Sequence, residues 1–304
     1  MSNGPLDLSL SIAGVTLNNP ITTASGTFSA RESGDFYNLN ELGAMITKGL
    51  STEPWEGNPT PRIAETYGGM LNSVGLQNPG VDVFIKEELP YLRTFEPKII
   101  VNVVGKTIGD YCTAAEKLCD AGIDMLEINI SCPNIKEGGI SFGADPKMAA
   151  EITREIKKIS RKPIFMKLTP NVTDITEIAR AVESEGADGI SMINTLLGMK
   201  IDVHHKRPVL WNKMGGLSGP AIKPVAVRMV YQVRRAVEIP IIGLGGIMTG
   251  EDAAEFLMAG ADAVSIGTAA LVDPTAPVRI KKELIDFMKQ YGYQNLKQIR
   301  ESLL

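Results

Sequence analysis

Cys132 is the residue in this sequence best placed to do chemistry. It stands in the run Asn129-Ile130-Ser131-Cys132-Pro133-Asn134, just after a β-branched stretch and at the start of a Gly-rich loop that offers a thiol little core to pack into. A free thiol has a pKa of about 8.5, so only roughly a few per cent is thiolate at pH 7, and Cys132 needs access and help to act as a base. A buried structural thiol is the other reading. Cys112 and Cys119 differ: they share a face with Ala115 on a helix expected from about Asp110 to Ala121, as small core hydrophobes do. Three cysteines make no disulfide framework and are one thiolate short of an iron–sulfur cluster, so free thiols in the cytoplasm are expected. The two histidines, His204 and His205, are neighbours rather than an i, i+4 pair, so no metal site is expected and a solvated loop is. They and Trp211 are assigned no function.

A second set of groups recurs where short apolar runs end: Ser25, Lys48, Asn102, Asn129, Lys167 and Asn194. Solvent contact explains any one of them. Three amides, two ammonium groups and a hydroxyl at equivalent places instead suit a polar, planar, hydrogen-bonding ligand, because buried polar groups are costly unless paired. Two glycine turns complete the set, Gly245-Gly246 in GLGGI and Gly267-Thr268 in SIGTA. Glycine is the default residue of tight turns, but paired turns at neighbouring strand ends bring backbone N–H groups onto an anion and read as a phosphate site. No GxGxxG follows the first strand and no GxxxxGK[ST] occurs, so a phosphorylated cofactor across a barrel mouth suggests FMN.

The elements that must position these residues alternate from end to end. Eight β-branched runs read as strands: Pro20 to Thr23, Ala44 to Thr47, Ile99 to Val103, Met125 to Ile130, Ile164 to Leu168, Gly189 to Ile193, Ile241 to Leu244 and Ala263 to Ile266. Helical patterns separate them, which predicts an α/β chain closing as a (β/α)8 TIM barrel, with an open six-plus-two sheet as the alternative. Leu8 to Leu17, with Ala13-Gly14 at its centre, reads as an N-terminal β-hairpin. Asp145-Pro146 and Asp273-Pro274 read as N-caps followed by proline at the first helical position, and Thr249 precedes a further acidic first turn. Ile152, Ile156 and Ile159 share one helix face, as do Val225, Met229 and Val233. A weak repeat of helix end, Gly and Asp before a strand places Gly122, Gly186 and Gly260 at left-handed caps, and Asn129, Ile193 and Gly267, seven residues on, at similar heights on the C-terminal rim. The spacings Lys48 to Asn102, Asn129 to Lys167 and Asn194 to Gly245 are 54, 38 and 51 residues. A plain βα unit needs only about 30. The surplus, 49–80, 131–145 and 195–220, should be long βα loops over the C-terminal mouth.

With 304 residues, 44% of them hydrophobic, the chain is long enough for one large barrel, expected as a single domain over 1–304. Lys and Arg total 31 against 35 Asp and Glu, a net charge of −4 that offers no basic field for nucleic acid. No apolar run approaches a membrane span, and the N-terminus lacks the pattern of a secretory signal, so a cytoplasmic protein is expected.

Cys132 and its neighbours in the N-x-S-C-P-N run, taken with Lys48-Gly49, Asn72 to Leu76, Gly215 to Gly219 and the two glycine turns, resemble the dihydroorotate dehydrogenase family over nearly the whole chain. The continuation from Lys136 to Pro146 is similar to the NAD-linked class 1B catalytic subunits. The resemblance implies FMN-dependent oxidation of (S)-dihydroorotate to orotate in pyrimidine biosynthesis, with Cys132, on a loop acting as a lid, taking the C5 proton while hydride passes from C6 to N5 of FMN. Lys48, Asn72, Ser73, Val74, Gly75, Leu76, Asn129, Asn134, Asn194 and Thr195 match positions that hold orotate. Ser25, Lys48, Gly49, Asn102, Asn129, Lys167, Ile193, Gly219, Gly245, Gly246, Gly267 and Thr268 match FMN contacts, with Lys167 placing its charge near N1 and the C2 carbonyl. The partner implied is an electron-transfer subunit carrying FAD and a 2Fe–2S cluster, with a homodimer of this chain inside a heterotetramer. A fumarate-linked class 1A enzyme, a dihydropyrimidine dehydrogenase-type subunit and, outside enzymes, a non-catalytic ligand-binding barrel are the alternatives.

Overall fold

The computed structural model describes residues 6–131, 136–137 and 140–303, with only the backbone described at 136, 137, 140 and 141. Eight parallel strands close into a barrel in chain order: Ile21–Thr23, Ala44–Ile46, Lys98–Val103, Met125–Asn129, Ile164–Lys167, Gly189–Met192, Ile241–Leu244 and Ala263–Ile266, the last pairing with the first. Each lies within a residue of its expected boundaries, and the closed order removes the open-sheet alternative. Helices follow the strands outside.

Local chemistry sets the helix ends. Thr107 and Thr249 form reciprocal capping boxes with Asp110 and Asp252, and Asp145 accepts from the backbone of Lys147 and Met148 ahead of Pro146–Ile159. Gly122, Gly186 and Gly260 take the positive φ expected of them, at 81°, 88° and 112°. Asp273 departs from expectation. The helix there runs Ala276–Tyr291, starting two residues later than the Asp-Pro pair predicts. Asp273 instead closes one turn ahead of it, accepting from the Thr275 backbone at 2.9 Å and hydroxyl at 2.7 Å, while the Ala276 N–H returns to its carbonyl.

Period-two alternation sends half of each strand's side chains inward. Near the N-terminal end those residues are apolar: Ala44, Ile46, Ile100, Met125, Phe165, Ile242 and Ala263 form one cluster. The hairpin Leu10–Ile12 and Val15–Leu17, turning at Ala13-Gly14 as expected, adds Ile12 and Leu17 to this floor. Phe165 fills it so closely that a Cβ on Gly189 would lie 2.3 Å from the ring. One layer higher the inward residues turn polar: Thr22, Asn102, Glu127, Lys167, Ser191 and Ser265, all buried.

The insertions 49–80 and 195–220 build one structure between them. Ile63–Thr66 and Gly69–Asn72 pair as a hairpin, Gly69–Asn72 pairs with Met214–Ser218, and that strand with Leu196–Met199, a four-stranded antiparallel sheet with Ala64, Leu71 and Leu210 beneath it. The third insertion contributes the short pair Lys136–Glu137 and Ile140–Ser141.

Candidate active site at the barrel mouth

A cavity of about 1600 Å³ opens at the C-terminal ends of the strands, bounded by the barrel rim and the four-stranded sheet. That exceeds the roughly 300–1,000 Å³ of a pocket for one small molecule and leaves room for two ligands side by side. Every described residue singled out above as a substrate or cofactor contact lines it, from Ser25 and Lys48 to Gly267 and Thr268. Cys132 and Asn134 lie outside the described residues, as do 133, 135, 138 and 139 of the loop expected to act as a lid.

One wall is a chain of hydrogen bonds. Lys167 Nζ donates to Ser25 Oγ at 2.7 Å and to Glu127 Oε1 at 3.2 Å, and Asn102 Nδ2 donates to the same carboxylate oxygen at 2.5 Å. Asn129 Nδ2 points back at Asn102 Oδ1 at 3.5 Å, while Asn129 Oδ1 accepts from the Ser131 hydroxyl at 2.6 Å. The Ser131 hydroxyl oxygen in turn accepts from Asn194 Nδ2, and Asn194 Oδ1 accepts from the Thr195 N–H at 2.7 Å. The Tyr111 hydroxyl pins the Asn129 carbonyl at 2.8 Å from behind. Each amide thus has a partner at both its nitrogen and its oxygen, which sets the direction of donor and acceptor before any ligand arrives. The strand register brings this about, since Lys167 pairs with Asn129 and Asn102 with Glu127.

Lys48 stands apart from that network. It is half-buried on the cavity wall, and no ion pair or hydrogen bond holds its ammonium group among the described residues. Burial, with the Arg62 guanidinium adding to it, lowers its pKa from the usual lysine value. A half-buried cation without a counter-ion suits an anionic ligand group. Nearby, the Ser73 hydroxyl is buried without a hydrogen-bond partner among the described residues, a second open valence on the same wall. Gly49 keeps space clear, because a Cβ there would lie 2.7 Å from Asn102 Oδ1.

On the opposite side the two glycine turns meet the strand end at Ser218-Gly219. The N–H groups of Gly245, Gly246 and Gly267 meet no hydrogen-bond acceptor among the described residues. Gly246 has φ 81°, and a Cβ there would lie 2.8 Å from the Gly219 carbonyl oxygen. Gly219, at φ 101°, is equally crowded, 2.7 Å from Gly69 Cα. Thr268 Oγ1 donates to Ser218 Oγ at 2.8 Å and closes the rim. Backbone donors left open in a cradle where Gly245 and Gly246 leave no room for a Cβ match an anion such as phosphate. The donors along the wall and this cradle, within one cavity, fit a flat, hydrogen-bonding ring carrying a phosphate tail.

Residues outside the expected set take part. Glu127, Ser131, Asn171 and Ser218 all belong to the network or rim, Asn171 bonding the Thr195 carbonyl at 3.0 Å. Glu127 carried a readable signal, a charge inside an otherwise apolar strand two residues before Asn129. His204 and His205 lie exposed, their backbones donating to Asp202 with His205 Nδ1 2.6 Å from its carboxylate, and Trp211 is exposed too. Cys119 is buried and Cys112 partly so, both free, as expected of small core residues.

Fold and cavity together define a (β/α)8 barrel that works at the C-terminal ends of its strands. The profile of the dihydroorotate dehydrogenase family matches residues 7–288. The chain is 60% identical over 98% of its length, and 99% of the relative's, to the dihydroorotate dehydrogenase B (NAD+) catalytic subunit of Alkaliphilus metalliredigens. It is 58% identical to that of Alkaliphilus oremlandii, over 96% of this chain and 97% of the relative, and 57% to that of Lachnoclostridium phytofermentans, over 94% and 95%. A crystal structure of DHODH from Eimeria tenella in complex with ferulenol shares the fold, with a TM-score of 0.79 over 96% of this chain and 87% of that one at 24% identity. The chain therefore belongs to the dihydroorotate dehydrogenase family. No helix among the described residues is long and apolar enough to cross a membrane.

Proposed function

We propose that this chain oxidises (S)-dihydroorotate to orotate as the catalytic subunit of an NAD-linked enzyme, with FMN across the barrel mouth. The observation that carries the reading is one cavity holding both a cation, Lys48, and a cradle of backbone donors at Gly245, Gly246 and Gly267, none of them with a partner among the described residues. The first suits the carboxylate of a small substrate and the second the phosphate of a cofactor. Names of relatives at 57–60% identity agree with it.

FMN, when bound, supplies the hydride acceptor. The chain's own residues do the rest. Lys48 binds the substrate carboxylate as a charge-assisted partner. Asn129 and Asn194, their amides tied together through the Ser131 hydroxyl, would present donors and acceptors to the pyrimidine ring, with Thr195, the segment Asn72 to Leu76 and Asn134 completing the substrate's site. Cys132 takes the proton from C5, a positioned base being worth roughly 10²–10⁴-fold. Ser25, Gly49, Asn102, Ile193 and Gly219 bound the cofactor's site, and Thr268 stands beside the phosphate cradle. Lys167 lines the same cavity, and its ammonium group would favour a cofactor that gains negative charge on reduction.

Electrons then leave through a partner subunit carrying FAD and a 2Fe–2S cluster, which this chain's three cysteines are too few to supply. A homodimer of this chain within a heterotetramer and a cytoplasmic location belong to the same proposal. Turnover assays test it. Dihydroorotate should reduce the protein and dihydrouracil should not, and NAD should accept electrons only with the partner present. Preference for dihydrouracil, or fumarate as acceptor for the isolated chain, would move the assignment to a sister class.

A further inference from the structure

Glu127 is the single carboxylate among the fully buried described residues, its side chain 1% exposed. It does not line the cavity, yet both groups it holds do: Asn102 Nδ2 at 2.5 Å and Lys167 Nζ at 3.2 Å. A buried ion pair adds little net stability over well-packed apolar side chains, because desolvating both charges offsets their attraction. Stability alone is therefore a weak reason for the pair, and its place behind two cavity-lining groups is a stronger one.

We infer that Glu127 is a positioning residue that sets how much positive charge the cofactor meets. Its carboxylate draws the Lys167 ammonium group against Ser25, fixes the Asn102 amide, and offsets the lysine's charge, so a cofactor in the cavity would meet a partly compensated cation. The inference rests on the FMN reading above and concerns the strength of the cofactor as an oxidant, which that reading leaves open. In a water-poor interior one charge removed a few ångströms from a redox group is strongly felt.

The test is the two-electron midpoint potential of FMN bound to the full chain, measured by equilibration with reference dyes. Glu127→Gln keeps the shape and removes the charge. It should move the oxidised-to-reduced ratio at least tenfold toward reduced flavin, about 30 mV upward for a two-electron couple. Glu127→Asp keeps the charge and disturbs the packing, and should stay within about threefold of wild type. A merely structural role predicts the reverse order, and an unmoved potential in Glu127→Gln with FMN bound overturns the inference while leaving the FMN reading intact. Failure of the wild-type chain to take up FMN overturns that reading first, and the inference with it. Should Glu127→Gln not fold, the double variant Glu127→Gln/Lys167→Met is compared with Lys167→Met alone. A potential raised back toward wild type in the double variant supports charge compensation, and no difference between the two contradicts it.

Discussion

The two ends of the barrel are built from the same eight strands and do opposite things. At the N-terminal end the inward residues Ile46, Ile100, Met125, Phe165 and Ile242 pack with Ile12 and Leu17 of the hairpin into a dry floor. One turn of the alternation higher, Asn102, Glu127 and Lys167 face the same axis, and Lys48, Asn102, Asn129 and Lys167 open onto the mouth. The floor is satisfied by packing alone, whereas the mouth retains valences open among the described residues: a cation without a counter-ion, a buried Ser73 hydroxyl and backbone donors at two turns. Structure that is complete within itself serves stability, and structure left incomplete serves binding.

Variants at the two ends should separate along that line. The largest effect belongs to Cys132→Ala, which should lower turnover by about 10²–10⁴-fold with FMN retained. Cys132→Ser should recover part of the loss only at high pH, since a hydroxyl is a far weaker acid than a thiol. Steady-state rates alongside the flavin absorbance check this, and unchanged turnover in both variants would remove Cys132 from the mechanism. On the floor, Phe165→Ala should cost about 3–5 kcal/mol of stability in denaturant titration. The folded fraction should still turn over normally; lost chemistry without lost stability would erase the distinction between the two ends.

Gly246→Ala should weaken FMN binding by roughly tenfold, the cost of about 1–2 kcal/mol for a side chain at positive φ, sharpened by the nearby Gly219 carbonyl. Fluorescence titration with FMN reads it directly. The smallest effect is at Lys48. Because burial lowers its pKa from the ordinary 10.5, the folded protein holds that proton less tightly than the unfolded chain. The charged lysine therefore costs stability at neutral pH, and the cost is relieved as pH rises through the lowered value toward 10.5. Lys48→Met should accordingly be more stable than wild type at pH 7, with the gap closing in alkali, while KM for dihydroorotate rises. A stability gap that widens with pH would contradict the sign.

Much of the floor and the rim was legible in the sequence, because period-two patterning and glycine turns are local signals. The eight strands lie within a residue of their expected bounds, and the described site residues line one cavity. Two features were hidden for physical reasons. Pairing of the 49–80 and 195–220 insertions into one sheet is a long-range event, which no local pattern encodes. Asp273 looked like a helix cap because an Asp-Pro pair suits a single turn as well as a helix start, and the Thr275 bonds settle it as a turn. Glu127 is visible in the sequence as a lone charge in an apolar strand, but its meaning comes only from the ion pair with Lys167, which the fold supplies.

One measurement bears on the whole account: FMN-loaded chain mixed with (S)-dihydroorotate in the absence of oxygen, with the visible flavin band followed in time. The band should bleach fully in wild type and far more slowly in Cys132→Ala. A band that persists in the wild-type protein, with FMN demonstrably bound, would contradict it.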